Sequence, residues 1–389
     1  MQVILMKMKQ KDCVAVICEY NPLHFGHKHQ LMLLKERFER VVCIMSGNIV
    51  QRGSVAVADK YLRAEAALTS GADLVVELPV PWCCSSARDF ARAGVHIANA
   101  LGVTHLAFGA EDGEELISEI SNFLESGDFE RELAERSEKS LSYPQLLTSS
   151  VERHLGAEYA QAVKKPNNIL ALEYISALKG RRIKPFFVKR EQKYLSSSQI
   201  RASGDMLSLL PDESKAVFAR EASKHFPRDE KRLDSFFVGT LRRMSATPLP
   251  QALYACPDDL ANKILRSAQK QSSVLGIVED CTDKNYTSAR VRRAINALVF
   301  GISAKRLSEM PPYTAVLAAN ACGCEQIKLA KKLKRTDIVN KPVRALEQSE
   351  ETKDAFLFAK GIEDILYLAG PIPESADTPK NPLIIGEKR

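Results

Sequence analysis

The chain lacks the features of a membrane or secreted protein. Nowhere in its 389 residues do eighteen apolar residues run together, so we expect no membrane span. The first ten residues, MQVILMKMKQ, lack the long apolar core and small-residue cleavage site of a signal peptide. The nine cysteines are odd in number and form no C-x-x-C pair, and Cys322 and Cys324 are interpreted as buried thiols. These absences predict a cytoplasmic protein with reduced thiols.

Negative charge is also less abundant than positive charge, by a small margin. Lysine and arginine number 55 against 48 aspartates and glutamates, which gives a net charge of +7. Such a balance permits an anionic partner without requiring one. A hydrophobic content of 45% is ordinary for a globular protein, and the length predicts two domains.

Residues 13–109 alternate short apolar runs with helical patterns. The predicted strands are CVAVICEY, RVVCIMSG, ADLVVELP and THLAFG, and the predicted helices are HKHQLMLLKERF, DKYLRAEAALTSG and SARDFARAGVHIANALG. Continuous apolar strands that alternate with helices are typical of a parallel sheet covered on both faces. The sequence therefore predicts an α/β, Rossmann-like fold for this part of the chain.

The rest of the chain divides into three parts. A charged, helical segment at residues 111–160 is interpreted as an insertion, and ILALEYISALKGRRIKPFFVKR then restores a helix followed by a strand. From about residue 205 the pattern is mainly helical to the end. We therefore predict a catalytic domain over residues 1–205 and a mainly α-helical, basic domain over residues 206–389.

The stretch CEYNPLHFGHKHQ, residues 18–30, lies where the first predicted strand ends and the first helix begins. Ligands bind beyond the carboxyl ends of parallel strands, and a helix N-terminus attracts anions. His24 and His27 are three residues apart, so on one helical turn they share a face. Gly26 between them allows a ligand to approach the backbone. Two imidazoles there can donate hydrogen bonds to phosphate oxygens that gain charge when a nucleotide is split.

Other interpretations of these polar residues stay open at this point. Histidines spaced three apart can ligate a metal, and an exposed polar turn without a role is the other alternative. His29 is interpreted as a solvated helix residue. Asp59, Lys60 and Arg63 are interpreted as solvated charges on a helix face.

A series of segments, in order along the chain, resembles one family. The segments are EYNPLHFGHKHQL, MSGNIVQRG, DKYLRAEAAL, GADLVVELP, AFGAE, KPNNILALEYISALK, SSSQIR and YTSARVRRAINALVFGI. The first contains the H-x-G-H signature of the nucleotidyltransferase superfamily, and the whole set resembles the tRNA(Met) cytidine acetate ligase family. The resemblance implies a nucleotidyltransferase fold and an enzyme that uses ATP and Mg²⁺ to activate acetate as acetyl-adenylate. It implies transfer of the acetyl group to N4 of the wobble cytidine of elongator tRNA(Met).

The resemblance also implies the residues of the site. His24 and His27 are the implied catalytic pair, and no protein ligand to a metal is implied. In the family, the segment matched by SSSQIR holds the β and γ phosphates, and here the link EQKYL before it is shorter than in the family. The implied ATP-binding residues are Ile17, Cys18, Glu19, Tyr20, Asn21, Pro22, Leu23, Phe25, Gly26, Lys28, His29, Gln30, Gly109, Asn167, Arg190, Ser197, Ser198 and Arg201.

Two other classes of function remain open from the residues themselves. A small-molecule nucleotidyltransferase would use the same H-x-G-H site but has no need of a large basic helical half. A non-catalytic RNA-binding protein would keep a nucleotide only as a structural ligand. The basic segments LRRMS, SARVRRA and IKLAKKLKRTDIVNKPVR suit phosphate contacts, which supply affinity without base specificity. The sequence does not indicate an oligomeric state.

Overall fold

The structure is a computed structural model, and it describes residues 12–136, 143–189, 191, 193–222, 224–244, 252–373 and 381–386. The strands of these residues are β1 (Cys13–Cys18), β2 (Arg40–Ser46), β3 (Leu74–Leu78), β4 (His105–Ala110), β5 (Lys184–Lys189), β6 (Tyr313–Ala319), β7 (Asp337–Val339) and β8 (Leu383–Ile384). The helices of the first half are α1 (Phe25–Arg37), α2 (Lys60–Thr69), α3 (Ala87–Leu101), α4 (Glu114–Leu124), α5 (Gly127–Arg136), α6 (Tyr143–His154), α7 (Ala157–Ala162), α8 (Pro166–Leu178) and α9 (Ser197–Ala202). Those of the second half are α10 (Asp212–Arg220), α11 (Asp234–Met244), α12 (Asp258–Ala268), α13 (Val274–Cys281), α14 (Ser288–Phe300), α15 (Ala304–Ser308), α16 (Ala321–Leu333) and α17 (Glu350–Leu366).

The strands form one sheet in the order β5-β4-β1-β2-β3-β6-β7, with β8 also paired to β6. The first five strands of this order are parallel, whereas β6 runs antiparallel to β3. The predicted Rossmann-like parallel sheet is therefore confirmed. Three strands, β6, β7 and β8, come from the half that the sequence predicts as mainly helical. The sequence pattern does not reveal them, because a short apolar run such as that of β6 cannot be told from a buried helix by periodicity alone. The sheet thus crosses residue 205, and the division into two domains there stays a prediction.

Both faces of the central strands are buried, which explains their continuous apolar sequences. Ala15, Val42 and Ile44 pack with α3, α8 and α16 on one face. Val14 and Val41, one position away on the same strands, pack with α1 and α2 on the other face. Successive side chains of a strand point to opposite faces, so each strand contributes to both layers of the core.

The helices and the cysteines bear on the expectations of no membrane span and of buried thiols. None of the helices in the described residues is long and apolar enough to span a membrane. Seven of the nine cysteines are buried, but Cys322 is exposed and Cys324 is half-buried at the start of α16. The expectation of a buried thiol at Cys322 was wrong, because this residue lies on the exposed side of the first turn of α16.

A buried ionic cluster joins α2, β3 and α17. Lys60 Nζ lies 2.8 Å from a carboxylate oxygen of Glu77 and 2.6 Å from one of Glu363. Beside it, Asp59 and Arg228 form a second buried pair at 2.9 Å. The interpretation of Asp59 and Lys60 as solvated charges was wrong, because the first turn of α2 is covered by the sheet and by the second half of the chain.

We expect this cluster to make stability depend on pH. Burial raises the pKa of Glu77 to about 7, although Lys60 opposes the shift. The folded state then holds a proton on Glu77 that the unfolded chain releases near its ordinary pKa of 4.5. The contribution of Glu77 to the free energy of unfolding is therefore largest below that value. It falls by up to about 3 kcal/mol as the pH rises through 7.

Urea unfolding between pH 4 and 8 measures this dependence. Glu77→Gln should make the free energy of unfolding depend less on pH than it does in the unsubstituted chain. Glu65→Gln, on the outer side of α2 where Glu65 pairs with half-exposed Arg220, should leave this dependence unchanged. Parallel profiles for the unsubstituted chain and Glu77→Gln would contradict the assignment.

Candidate active site

The turn between β1 and α1 is held by two histidines that cap the helix together. Nδ1 of His24 accepts a hydrogen bond from the N–H of Gly26 at 3.1 Å, and Nδ1 of His27 accepts from the N–H of His24 at 3.4 Å. The two rings stack with their centroids 3.7 Å apart and their planes 23° from parallel. Because Nδ1 is the acceptor in both rings, a neutral imidazole at either position carries its proton on Nε2.

Gly26 is needed for this stacking. A Cβ atom added there would lie 3.1 Å from Cε1 of His24 and 3.2 Å from its Nδ1, which is closer than ordinary van der Waals contact. The glycine of the H-x-G-H signature therefore leaves room for the His24 ring at the helix N-terminus. The first turn of α1 contains no acidic side chain, so nothing on the helix itself neutralises its positive end.

A cleft of about 620 Å³ opens beside these histidines at the carboxyl ends of β1 and β4. Its volume is in the usual range for a small-molecule or cofactor site. Most of the residues predicted from the sequence line it, although they come from four separate segments of the chain. The predicted residues in its wall are Ile17, Cys18, Glu19, Tyr20, His24, Gly26, His27, His29, Gln30, Gly109, Asn167, Ser197, Ser198 and Arg201.

The remaining predicted residues are not brought to the cleft. They are Asn21, Pro22, Leu23, Phe25 and Lys28, while Arg190 lies outside the described residues. The Asn21 side chain is buried and accepts a hydrogen bond from the N–H of Val57 at 2.7 Å. Lys28 forms an ion pair with Glu213 of α10 at 2.7 Å. A continuous run of predicted contacts thus divides into residues that line the cleft and residues that lie outside its wall.

α9 docks on the same turn through its polar side chains. Arg201 donates from Nη1 to the carbonyl oxygen of Asn21 at 2.5 Å, and Ser197 donates to the carbonyl oxygen of Pro22 at 3.4 Å. Ser196 is the N-cap and accepts from the N–H of Gln199. All three serines of SSSQIR lie in the wall of the cleft, and the first of them also caps α9.

Asn167 and Asn168 are neighbours on the opposite wall but make different contacts. The side chain of Asn168 is buried and accepts from the N–H of Glu111 at 2.8 Å, which anchors the loop after β4. Asn167 lines the cleft, and its Nδ2 donates to Oε1 of Glu111 at 2.6 Å. A nucleotide that hydrogen-bonds the Asn167 amide would compete with this carboxylate.

Several residues of the cleft were not among the sequence predictions. Tyr194, in the short EQKYL link, places its ring 5.7 Å from that of His29, centroid to centroid. His29 was interpreted as solvated, yet it is half-buried. Gln51 and Arg52 belong to the MSGNIVQRG segment, which the resemblance included without assigning site residues in it. The other unpredicted polar residues in the wall are Ser54, Glu111, Tyr174, Lys189, Glu191 and Ser196.

Arg63 of α2 holds the loops that form the floor of the site. Its fully buried guanidinium donates to the carbonyl oxygens of Glu19 at 2.6 Å, Ser46 at 3.1 Å and Gly47 at 2.5 Å, and its Nε donates to that of Ala58 at 3.0 Å. Burial lowers the pKa of Arg63 to about 10. The interpretation of Arg63 as a solvated charge was wrong, because its acceptors are backbone groups that a sequence pattern does not reveal.

No protein site for a metal ion is built into the described residues. They contain no group of three or more His, Cys, Asp and Glu side chains that could hold one. Mg²⁺ commonly binds through substrate phosphates and retained waters rather than through an all-protein cage. A nucleotide in the cleft could therefore bring Mg²⁺ on its own phosphate oxygens.

Comparison with known proteins gives one consistent result. The family model described as HIGH Nucleotidyl Transferase matches residues 11–367. The tRNA(Met) cytidine acetate ligase of Caldanaerobacter subterraneus subsp. tengcongensis is 30% identical over 92% of this chain and 96% of its own. The enzyme of that name from Clostridium perfringens is 31% identical over 87% of this chain and 92% of its own. A crystal structure of Thermotoga maritima TmcAL bound with alpha-thio ATP superimposes with a TM-score of 0.88 at 25% identity, covering 96% of this chain and 100% of that one.

Arg63 offers a test of how the floor of the site is held. Arg63→Lys keeps the charge but has one nitrogen where the guanidinium has three, so several buried carbonyl oxygens lose their donor. We expect the free energy of unfolding to fall by about 3 kcal/mol, because unsatisfied buried polar groups cost ~1–3 kcal/mol each. Urea unfolding measures this. The matched control is Arg220→Lys, whose half-exposed pair with Glu65 should change stability by less than about 1 kcal/mol. Equal losses for the two variants would contradict the structural role of Arg63.

Proposed function

The chain belongs to the tRNA(Met) cytidine acetate ligase family, and on that premise we propose that it activates acetate with ATP and acetylates N4 of the wobble cytidine of elongator tRNA(Met). The observation that carries the proposal is the stacked pair of His24 and His27 at the N-terminus of α1, facing a cleft of nucleotide size. A site of this construction suits phosphoryl chemistry, in which catalysis consists mainly of positioning and charge stabilisation.

In the first step an oxygen of acetate attacks the α-phosphorus of ATP, and pyrophosphate leaves with the electron pair of the broken bond. Negative charge then grows on the phosphate oxygens. The Nε2–H groups of His24 and His27 are donors for those oxygens, and the positive end of the α1 dipole favours the added charge. Mg²⁺, when bound on the phosphates, supplies further neutralisation. The rings are preorganised because their Nδ1 atoms already hold the helix cap.

In the second step the cytidine amine attacks the acetyl carbonyl carbon, and AMP leaves. The N4 lone pair is delocalised into the ring, so the amine is a weak nucleophile and needs the reactive mixed anhydride as its partner. The wobble base must leave the anticodon stack to enter the cleft. Single-stranded loops allow this, because their bases can be splayed out. The free energy required is about a few kcal/mol, similar to that of base flipping.

The helical half supports an RNA substrate through its position and its charge. Asn296 of α14 donates from Nδ2 to the carbonyl oxygen of Gly53 at 2.9 Å, so this helix packs directly on the loop that contains Gln51 and Arg52. Arg293 of α14 reaches the carbonyl oxygen of Gln51 at 3.5 Å. A second group of basic residues is exposed in and after α16: Lys328, Lys331, Lys332, Lys334, Arg335, Lys341 and Arg344. Basic side chains at both places suit contacts to the phosphate backbone.

Exchange of labelled pyrophosphate into ATP tests the first step. Formation of acetyl-adenylate is reversible, so exchange should require acetate and Mg²⁺ and should proceed without tRNA. Omission of acetate is the control. Robust exchange with a phosphorylated metabolite in place of acetate would assign the chain to small-molecule nucleotidyl transfer instead.

His27→Ala separates chemistry from folding. The variant loses a transition-state donor, so the exchange rate should fall by about 10²-fold or more. It also loses one capping hydrogen bond, which should lower the free energy of unfolding by only about 0.5–1 kcal/mol. The matched control is His29→Ala, on the same helix turn and in the same cleft, which should affect the exchange rate far less. If His29→Ala proves the more damaging of the two, the phosphates do not bind where the proposal puts them.

A further inference from the structure

The mechanism needs an acceptor for the proton that cytidine N4 loses, and a carboxylate in the cleft is a group that can accept it. Among the described residues that line the cleft, the carboxylates are those of Glu19, Glu111 and Glu191. Glu111 receives the hydrogen bond from Asn167, and Glu191 lies 3.8 Å from Nζ of Lys193 on the outer side. Glu19 stands at the end of β1, five residues before His24, and is therefore the carboxylate tied to the turn that carries the histidines.

Glu19 is held from both its backbone and its side chain. Its carbonyl oxygen accepts from Arg63, and its Oε1 accepts from the N–H of Gln51 at 2.9 Å. Among the described residues, the hydrogen bond that the structure gives to the Glu19 carboxylate is made by Oε1. Oε2 therefore remains for a ligand. A base fixed in this way loses little freedom when a substrate N–H approaches it.

The charges around Glu19 come from each element packed against it. Arg52 lies on the loop after β2, Arg63 on α2 and Arg201 on α9, and the hydroxyl of Tyr174 on α8 also faces this region. Burial raises the pKa of Glu19, while Gln51 and the three arginines act in the opposite direction without cancelling the shift. The carboxylate is thus a stronger base than an exposed glutamate.

We propose that the Glu19 carboxylate is the general base that accepts the N4 proton during acetyl transfer. The inference rests on the proposed function and adds to it a catalytic residue for the second step. As the N4–carbon bond forms, positive charge develops on the nitrogen and its proton becomes acidic enough for a carboxylate to accept. The proton goes to Glu19, the carbon–oxygen bond to AMP breaks, and AMP leaves with that electron pair on its phosphate oxygen. Atoms and electrons balance without a further reactant.

A structural role predicts a different outcome from a catalytic one. If Glu19 only anchored the loop at Gln51, a glutamine would replace it, because its side-chain oxygen can still accept from the Gln51 N–H. Glutamine cannot accept the N4 proton. Glu19→Gln therefore removes the proposed chemistry and keeps the anchor.

The experiment measures the two half-reactions of the full-length enzyme separately. Pyrophosphate exchange with acetate reports the first, and single-turnover acetylation of a tRNA(Met) transcript by enzyme preloaded with ATP, Mg²⁺ and acetate reports the second. Because Glu19 lines the nucleotide cleft, Glu19→Gln can change both rates, and we expect it to slow acetyl transfer by about 10²-fold or more beyond any change in exchange, the usual scale of general-base catalysis. Acetyl transfer by the unsubstituted enzyme should rise with pH through the pKa of Glu19 and then level off, and Glu19→Gln should lose this rise.

The matched control is Glu173→Gln. Glu173 is a half-buried carboxylate of α8 whose pKa is also raised by burial, but it does not line the cleft. Both of its rates should stay at the unsubstituted level.

Three results would overturn the inference: equal loss of exchange and transfer in Glu19→Gln, normal transfer by that variant, or an unchanged pH profile. If Glu19→Gln does not fold, Glu19→Asp carries the test. If the rise of the acetyl-transfer rate occurs at a different pH in Glu19→Asp than in the unsubstituted enzyme, the role of Glu19 as the base is supported. If it occurs at the same pH, the inference is overturned. Absence of exchange in the unsubstituted enzyme is a separate result, since it involves no variant, and it would overturn the proposed function together with this inference.

Discussion

The site depends on one buried guanidinium at the carboxyl ends of the central strands. Arg63 satisfies the carbonyl oxygens of Glu19, Ser46 and Gly47, which lie where β1 and β2 end or have just ended. Carbonyl groups buried there without donors would each cost ~1–3 kcal/mol. The loop after β1 leads into the two capping histidines, and the loop after β2 contains Gln51 and Arg52. A single side chain of α2 thus sets the relative position of two walls of the cleft.

Above this floor, the hydrogen bonds that start α1 also orient the two imidazole rings that line the cleft. A histidine is an unusual N-cap, since serine, threonine, aspartate and asparagine are preferred. His24 and His27 nevertheless form a reciprocal capping box through Nδ1, which leaves Nε2 of each ring as the donor. Binding geometry and helix stability are then coupled at the same two residues. Glu19 belongs to the same turn, so its carboxylate keeps a constant position relative to the histidines.

The second half of the chain is part of this arrangement rather than an appendage to it. Glu363 of α17 completes the ion cluster around Lys60, and Arg228 pairs with Asp59 at the start of the same helix. Asn296 of α14 holds the carbonyl oxygen of Gly53. Strand β6 covers the edge of β3. A substrate that contacts the helical half therefore meets a surface with direct packing contacts to the loops of the cleft.

The sequence by itself determined the parallel sheet, the helices between its first strands and the turn with His24 and His27, because apolar periodicity and the H-x-G-H turn are local patterns. The other predicted residues of the cleft were implied by the resemblance to the family. The sequence also contained the resemblance that the comparisons confirmed. Only the tertiary structure decided which members of the run from Ile17 to Gln30 face the cleft, since Lys28 pairs with α10, 185 residues away along the chain. It also decided that Lys60 and Arg63 are buried, because their partners are a distant carboxylate and backbone carbonyl groups. Long-range pairing of this kind leaves no periodic signal in a single sequence, which is why the strand β6 and the base Glu19 became recognisable only in three dimensions.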